Sequence, residues 1–282
     1  MNVKAAIGEG PVWDDRAQCL YFVDILSRMI HRYNPATNED EIFQLNKMVG
    51  AIAICQHHRL ITALEDGFAF LDFDHKTTQE IWVNKQNDIR FNDGKCDPEG
   101  RFWAGTMSLS GEKGKGTLYC LDQKQKVSPV LSGITTSNGL AFSPDGRYLY
   151  YTDSPTLEIW RFDTDPKTVL LKNKQVVVQI PPGEGVPDGM TIDEQGRLWV
   201  AQWGGGRICC YDPRTGQKVN EVFLPVEQVS SCTFGGPHLS DLFVTTARQG
   251  LSEEMLEKQP DAGALFCIRT KTHGFPTDRY PG

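Results

Sequence analysis

The stretch "RFNDGKCDPEGRFWAGTM", residues 90–107, contains one unit of a repeated pattern. A polar turn marked by Gly100 is followed by an aromatic-rich apolar run, a second turn and a third apolar run. This form occurs six times, and its aromatic-rich runs begin at Leu20, Leu60, Phe102, Leu149, Leu198 and Leu242, at intervals of 40, 42, 47, 49 and 44 residues. Several short strands per unit at a period of about 40 to 50 residues are typical of a β-propeller. The sequence therefore predicts an all-β fold, a six-bladed β-propeller.

The repeats fill the chain, so we predict a single propeller domain over residues 1–282. Helical periodicity is nearly absent, and only residues 252–259, "SEEMLEKQ", are predicted to form a short helix. The N-terminal segment "NVKAA", residues 2–6, is expected to add an outer strand to the last blade, which would leave no free sheet edge at the seam. The pair His57–His58 is expected in a turn of the second blade.

Composition excludes several classes of protein. The chain has 282 residues and a net charge of −7 without a dense Lys/Arg run, which argues against a nucleic-acid partner. It has no run of 18 apolar residues, so we expect no membrane span. The first residues lack the apolar core of a signal peptide, and the eight cysteines form no C-x-x-C pair. We therefore expect buried, reduced thiols in a cytoplasmic protein.

Other repeated residues are predicted to be structural. Asp24 and Asp153 end equivalent runs, "YFVD" and "YYTD", and are interpreted as hydrogen-bond acceptors at strand ends. Trp203 is a candidate aromatic platform for a hydroxyl-rich substrate. The strand alternation favours a core position for Trp13, Trp103, Trp160 and Trp199.

Oxygen-bearing side chains recur at one register of the repeat. Asn138 and Glu9 lie 11 residues before the aromatic-rich runs of their units, and Asp188 and Asn92 lie 10 residues before theirs. In a propeller the first strand of each blade lines the central channel, so residues at one register converge at one end of it. Asn-Gly and Asp-Gly are also common turn sequences, but Glu9 is not a turn former.

This oxygen-bearing set predicts a metal site in the central channel. Two carboxylates held together repel each other unless a cation or a proton lies between them. Oxygen ligands without His or Cys suit a hard divalent ion. We expect one divalent metal ion, Ca²⁺ as the first choice, with Zn²⁺, Mn²⁺ and Mg²⁺ as alternatives.

Five motifs resemble those of the SMP-30/gluconolactonase/luciferin-regenerating enzyme family, which includes the regucalcins. They occur in the family's order and cover nearly the whole chain: "GEGPVWD" (8–14), the stretch 90–107, "SNGLAFSPDGRYLYYTDS" (137–154), "PDGMTIDEQGRLWVAQW" (187–203) and "FGGPHLSDLFVTTAR" (234–248). The resemblance implies a six-bladed propeller with one divalent metal in its channel. It also implies hydrolysis of a sugar lactone, a small-molecule substrate.

The resemblance further implies roles for five residues. Glu9, Asn138 and Asp188 would be metal ligands, and Asp188 would also act as the general base. Asn92 would contact the substrate or a metal-bound water, and Arg90 would donate hydrogen bonds to the substrate's oxygens. For Arg90, a structural pairing with a neighbouring carboxylate is the alternative.

The chain departs from the animal regucalcins in one place. Where they carry a substrate-facing glutamate, three residues after "GTM", this chain has Ser110. Glu112 would compensate only if the loop bends differently, so the precise lactone stays open. Whether Asp188 or a metal-bound hydroxide takes the proton from the attacking water also stays open, since a cation lowers the pKa of a bound carboxylate.

Three functions compete on these residues. The first is divalent-metal-dependent hydrolysis of an aldono-1,4- or 1,5-lactone to the aldonic acid, as in a gluconolactonase. The second is a calcium-binding regulatory propeller without turnover. The third is an aryl-ester or organophosphate hydrolase. We favour the first, because a purely structural cation would not need a guanidinium beside it.

Overall fold

The computed structural model describes residues 1–56 and 59–282, and within these it contains 23 β-strands and two short helices. The strands form six antiparallel sheets, five with four strands and one with three. The first strand of every sheet contacts the first strands of two neighbouring sheets, and these contacts close into a ring of six. The predicted all-β six-bladed propeller is confirmed. The pair His57–His58 lies outside the described residues.

Each sheet is one blade, numbered in chain order. Blade one contains β1 (Gly8–Asp14), β2 (Cys19–Asp24), β3 (Met29–Asn34) and β4 (Glu39–Gln44); blade two contains β5 (Val49–Ile54), β6 (Leu60–Leu64), β7 (Gly67–Asp72) and β8 (Thr77–Val83). Blade three contains β9 (Ile89–Cys96), β10 (Phe102–Ser108), β11 (Gly116–Leu121) and β12 (Val127–Ile134); blade four contains β13 (Ser137–Phe142), β14 (Tyr148–Asp153), β15 (Glu158–Asp163) and β16 (Lys172–Gln179). Blade five contains β17 (Val186–Ile192), β18 (Leu198–Trp203), β19 (Arg207–Asp212) and β20 (Gln217–Phe223); blade six contains β21 (Val229–Gly235), β22 (Asp241–Thr246) and β23 (Phe266–Arg269).

The two helices are short. A 3-10 turn, Ser154–Thr156, follows β14, and α1 spans Glu253–Lys258. Ser252 caps α1 by accepting a hydrogen bond from the backbone N–H of Met255, so the predicted helix is confirmed. Neither helix, in the described part of the chain, is long and apolar enough to cross a membrane.

Each blade is apolar on both faces and packs against the next blade around the ring. In the interface of blades three and four, for example, Trp103 and Leu118 pack with Leu140 and Leu149. Such interfaces keep the middle strands buried, whereas the fourth strands are largely exposed. The core positions predicted for Trp13, Trp103, Trp160 and Trp199 are confirmed. All eight cysteines are unbonded, and seven of them are buried; Cys267 is exposed.

The turns between first and second strands explain the "DPEGRFW" and "DEQGRLW" sequences. In blade three, Gly100 has a φ of 76°, and the Asp97 carboxylate accepts a hydrogen bond of 2.7 Å from the Trp103 indole. In blade five, Asp193 accepts an equivalent bond of 3.0 Å from Trp199. The aspartate thus satisfies the buried indole of the next strand, as burial of a polar group requires.

Asp24 and Asp153 have the structural role predicted for them. Asp24 accepts hydrogen bonds from the backbone N–H groups of residues 6 and 7, and Asp153 accepts them from residues 135 and 136. Each carboxylate therefore fixes the chain that enters the first strand of its own blade, just before the channel-lining residues begin.

The seam between the first and last blades differs from the prediction. Residues 1–5, all described, form no strand, and blade six has three strands rather than four. Met1 and Leu265 exchange backbone hydrogen bonds, and the N–H of Ala5 donates to the carbonyl of Gly263. The N-terminus therefore closes the ring along the segment before β23, but too irregularly to form a strand.

The C-terminal residues 273–280 form a strap across one end of the channel. His273 and Gly274 bond to the turns of blades five and six. The Thr277 hydroxyl donates to the carbonyl of Trp13 in blade one. Tyr280 pairs with the end of β5 in blade two through its backbone, and its hydroxyl donates to Asp122 in blade three. The strap therefore links five blades.

Arg279 anchors the strap through ion pairs with Asp14 and Asp15, both at 2.7 Å. Burial alone would raise the pKa of Asp14, but hydrogen bonds from Arg279 and from the Ala17 N–H outweigh it, so this pKa lies below its usual value. We expect Arg279→Gln to lower the free energy of unfolding by about 1 to 3 kcal/mol at neutral pH, because it leaves a buried carboxylate unpaired.

The pH dependence of that loss has a definite sign. A carboxyl whose pKa is lowered on folding stabilises the fold while it is ionised, and this contribution disappears as pH falls below about 4. Chemical denaturation at several pH values should therefore show the difference between variant and wild type shrinking in acid. Arg214→Gln, which removes an exposed ion pair with Asp212, is the control and should cost less than about 0.5 kcal/mol. Equal losses for both variants would contradict this account.

Candidate active site

The first strands of the blades bring four oxygen-bearing side chains to the channel. Glu9, Asp93, Asn138 and Asp188 are all buried, and each is followed by glycine. The ladder between first and second strands shifts register at this level in each of the four blades. A bulge re-aims a side chain relative to regular alternation. The bulged strands thus hold four polar side chains at one level of the channel.

The glycines after these residues allow the geometry. Gly10 and Gly139 have φ values of 50° and 34°, which a residue with a Cβ rarely adopts. The Gly10 N–H donates a 2.9 Å hydrogen bond to the carboxylate of Glu9, and the Gly94 N–H donates one of 2.7 Å to Asp93. The tight bulge therefore also fixes the orientation of the side chain before it.

The structure corrects the predicted register in blade three. Asp93, rather than Asn92, pairs with Gly105, as Glu9 pairs with Val23 and Asn138 with Thr152. Counting back from the second strand missed this because the bulge of blade three precedes Asp93, whereas the bulges of blades one and four follow Glu9 and Asn138. A polar residue directly before glycine is the signal that would have identified Asp93.

Electrostatic interactions connect the three carboxyl groups. Burial raises the pKa of Glu9 well above its usual value, and Asp188 and Asp93 raise it further. Burial and then Asp93 raise the pKa of Asp188, against the effect of the neighbouring Asn138 and Glu9 side chains. Burial raises the pKa of Asp93 to about 6. Three acids that resist ionisation together form a site that favours a cation.

The predicted ligands fit a hard divalent cation. One carboxylate oxygen of Asp188, Oδ1, is buried and accepts no hydrogen bond from the described residues. Such an orphaned acceptor is costly unless something binds it. Within the described residues, no three Asp, Glu, His or Cys side chains are close enough to hold a metal by themselves. This agrees with the predicted set, which has two carboxylates and one amide.

Asn138 is held rigidly in this set. Its amide Nδ2 donates a 3.0 Å hydrogen bond to the hydroxyl of Ser154, which itself donates 2.7 Å to the carbonyl of Pro187. Donation from Nδ2 assigns the amide oxygen Oδ1 to the opposite side. The first turn of the 3-10 helix thereby ties the side chain of blade four to the strand that carries Asp188.

Arg90 and Asn92 form a second pair beside these oxygens. Nη1 of Arg90 donates to Asn92 Oδ1 at 2.7 Å and to the Phe91 carbonyl at 2.9 Å, and Asn92 donates to the Ser137 carbonyl at 2.9 Å. Burial lowers the pKa of Arg90 to about 10, while the nearby Glu9 and Asp188 act against this shift. The described residues offer no acceptor to Nε or Nη2 of this guanidinium. The hydrogen bond between Arg90 and Asn92 therefore leaves Nε and Nη2 available to a ligand.

The rim above Arg90 is built around Asp88. This carboxylate accepts hydrogen bonds from the hydroxyls of Ser110 (2.6 Å) and Ser108 (2.9 Å) and pairs with Lys115 at 3.1 Å. Glu112 is exposed and also pairs with Lys115. The acidic group next to Ser110 thus comes from residue 88, before β9, rather than from residue 112.

A cavity of about 350 Å³ occupies the strap end of the channel. Its walls include Asp93, Lys95 and Thr191 from the first strands and the strap residues 275–278. Lys95 donates a 2.9 Å hydrogen bond to the carbonyl of Met190. Asp93 therefore lies between this cavity and the oxygens of Glu9 and Asp188. The predicted aromatic platform, Trp203, is half-buried and packs against apolar residues of blades one and two.

Known proteins are similar to this chain in sequence and in the arrangement of their strands. A protein of Bacillus subtilis (strain 168), named "Putative sugar lactone lactonase YvrE", is 36% identical over 283 residues, which cover 100% of this chain and 97% of that protein. Regucalcin of Danio rerio is 39% identical over 283 residues, covering 99% and 96%. The crystal structure of a calcium-binding protein, regucalcin, from Agrobacterium tumefaciens superposes with a TM-score of 0.95 at 28% identity, covering 99% and 95%.

The family model described as "SMP-30/Gluconolactonase/LRE-like region" matches residues 7–248. That range includes all six channel-lining strands and every residue of the site. At the level of the family, membership supports a hydrolase that acts on sugar lactones. The chain belongs to the SMP-30/gluconolactonase/LRE-like family.

Proposed function

We propose that this protein is a divalent-cation-dependent hydrolase that opens an aldono-1,4- or 1,5-lactone to the aldonic acid. The observation that carries the proposal is the unpartnered, buried Oδ1 of Asp188, next to Glu9 and Asn138 and beside the free donors of Arg90. An orphaned acceptor calls for a cation, and a guanidinium with free donors calls for an oxygen-rich ligand.

Glu9, Asn138 and Asp188 would hold the cation. A divalent ion bound there would polarise the lactone carbonyl and stabilise the negative charge that develops on its oxygen. Ca²⁺ is our first choice, because the Agrobacterium relative is a calcium-binding protein and all the donors are oxygens. Zn²⁺, Mn²⁺ and Mg²⁺ accept the same donors.

Arg90 and Asn92 would orient the sugar. The guanidinium is planar and stays charged, so its free Nε and Nη2 can donate to two ring or hydroxyl oxygens at once. Asn92 Oδ1 accepts a 2.7 Å hydrogen bond from Nη1 and so fixes the guanidinium. This reduces the side-chain entropy that Arg90 loses when the substrate binds. Tight positioning of this kind is what a small, hydroxyl-rich substrate requires.

Asp188 would move the proton. The water oxygen forms a bond to the carbonyl carbon while a carboxylate oxygen of Asp188 takes one water proton. The bond between this carbon and the ring oxygen then breaks, and the proton passes to the departing alkoxide. The products are one carboxylic acid and one new hydroxyl group, so atoms and charge balance.

A calcium-binding propeller without turnover is the second candidate. The description of the Agrobacterium relative as a calcium-binding protein favours it. It would use the same oxygens but would not need Arg90. Cation binding and turnover are therefore best measured separately.

Cation binding should stabilise the fold. After treatment with a chelator, addition of Ca²⁺ at about 100 times its Kd should raise the free energy of unfolding by about 2.7 kcal/mol, because only the native state binds it. Calorimetric melting would measure the shift. Asp188→Asn and Glu9→Gln should abolish the response, whereas Glu112→Gln, at the rim, should retain it. A wild-type protein whose Tm responds to no divalent ion would refute the site.

Lactone turnover should depend on Asp188. Acid release from a panel of sugar lactones would be followed with metal-stripped protein and Ca²⁺, Mg²⁺, Mn²⁺ or Zn²⁺ restored singly. We expect Asp188→Ala to lose both cation affinity and at least about 100-fold in kcat, the usual contribution of a general base. Full activity in this variant would exclude the mechanism, and no turnover of any lactone by wild type would favour the second candidate.

Arg90→Lys separates orientation from charge. The ammonium keeps the positive charge but cannot donate two parallel hydrogen bonds. We expect kcat/KM to fall by about tenfold or more with cation affinity unchanged, since one or two charge-assisted hydrogen bonds would be lost. Steady-state kinetics and cation titration of the same sample would test this, and an unchanged kcat/KM would assign Arg90 a structural role.

A further inference from the structure

One strand carries two charged residues that lie between the candidate ligands and the strap end of the channel. Asp93 and Lys95 are two positions apart in β9, so both side chains point from the same face of the strand into the channel. Both line the cavity at the strap end. Nothing in the lactone mechanism above uses either residue.

The charge of Asp93 acts on the candidate ligands, and the charge of Lys95 acts on Asp93. Asp93 raises the pKa of both Glu9 and Asp188, so its charge is felt at the ligands. Lys95 acts on Asp93 in the opposite sense and lowers its pKa. The order along the channel is therefore the ligand oxygens, then a carboxylate, then an ammonium.

Asp93 is not placed to be a third carboxylate ligand. Within the described residues, Glu9, Asp93 and Asp188 are not close enough together to hold one ion. The Gly94 N–H also holds Asp93 Oδ1, at 2.7 Å. Its influence on a cation is therefore Coulombic and acts over a distance.

Among the described residues, no carboxylate forms an ion pair with the ammonium of Lys95. Its hydrogen bond among the described residues goes to a neutral group, the carbonyl of Met190. Burial lowers the pKa of Lys95, and its acidic neighbours Asp93 and Asp278 act against this shift from a distance. An ammonium that no ion pair neutralises projects its field up the channel.

We infer that Asp93 and Lys95 set the affinity of the channel for a divalent cation by charge alone: Asp93 strengthens binding, and Lys95 weakens it. The inference rests on the cation site of the proposed function. The formal charges show why such a balance is useful. With all groups ionised, Glu9, Asp93 and Asp188 contribute −3 and Lys95 and Arg90 contribute +2, so the bare channel carries −1. One divalent ion then brings the loaded site to +1, which favours an oxyanion.

Opposite shifts in cation affinity would test this. In chelator-treated protein, Ca²⁺ is titrated calorimetrically at neutral pH, where Asp93 and Lys95 are both charged. Asp93→Asn should weaken binding and Lys95→Met should tighten it, each by about tenfold, the size expected for one charge acting on a divalent ion across a partly shielded channel. The double variant should bind close to wild type.

Two controls separate charge from packing. Lys95→Arg keeps the charge and should keep the affinity within about twofold, well below the change expected for removal of a charge. Thr191→Val changes the wall of the same cavity without changing charge, and should also leave affinity unaltered. Disrupted folding can only weaken binding, so tighter binding by Lys95→Met is not explained by structural damage.

The outcomes distinguish this inference from the function on which it rests. If wild type binds no divalent ion, the proposed function fails, and the inference fails with it. If wild type binds Ca²⁺ but Lys95→Met binds equally or more weakly, the inference alone is overturned. Tighter binding by Lys95→Met together with weaker binding by Asp93→Asn supports it.

Discussion

The structure depends on one constraint: each blade has two apolar faces and can bury both only between two neighbours. A single four-stranded sheet would leave both faces in water, and any open row of sheets would leave one face exposed at each end. The sheets must therefore continue around an axis until the last meets the first. Ring closure brings all six first strands to the axis. Their starting residues then meet at one end of the channel, although Glu9 and Asp188 are far apart in the chain. The site is thus a consequence of how the blades bury their faces.

Burial at the axis also accounts for the chemistry. A carboxyl group next to bulk water would ionise freely, but the channel raises the pKa values of Glu9, Asp93 and Asp188 together. This arrangement requires a strained backbone, with bulges that place glycine at positive φ values. Strain, burial and like charge therefore occur at the same level of the channel, which is where function is to be expected.

Much of this could be predicted from the sequence. The spacing of the aromatic-rich runs indicated six blades, and the polar register indicated Glu9, Asn138 and Asp188. Counting residues could not show where the bulge of blade three lies, so Asp93 was missed. The sequence also could not show that Asp88 reaches the Ser110 hydroxyl, because that contact depends on how a loop folds back. The expected N-terminal strand was wrong for a similar reason, since scattered backbone hydrogen bonds at Met1, Ala5 and Ala6, rather than a regular ladder, tie the segment to blade six.

The strap has a consequence for how the chain folds. Arg279 contacts Asp14 and Thr277 contacts Trp13, so a segment that follows blade six holds residues of blade one. Contacts of such long sequence separation form slowly, because a large loop must close before they contribute. The blades form from neighbouring strands, whereas the strap can lock the ring only after residues 264 and 265 positions apart have met. Locking of the ring is therefore expected to be a late step in folding.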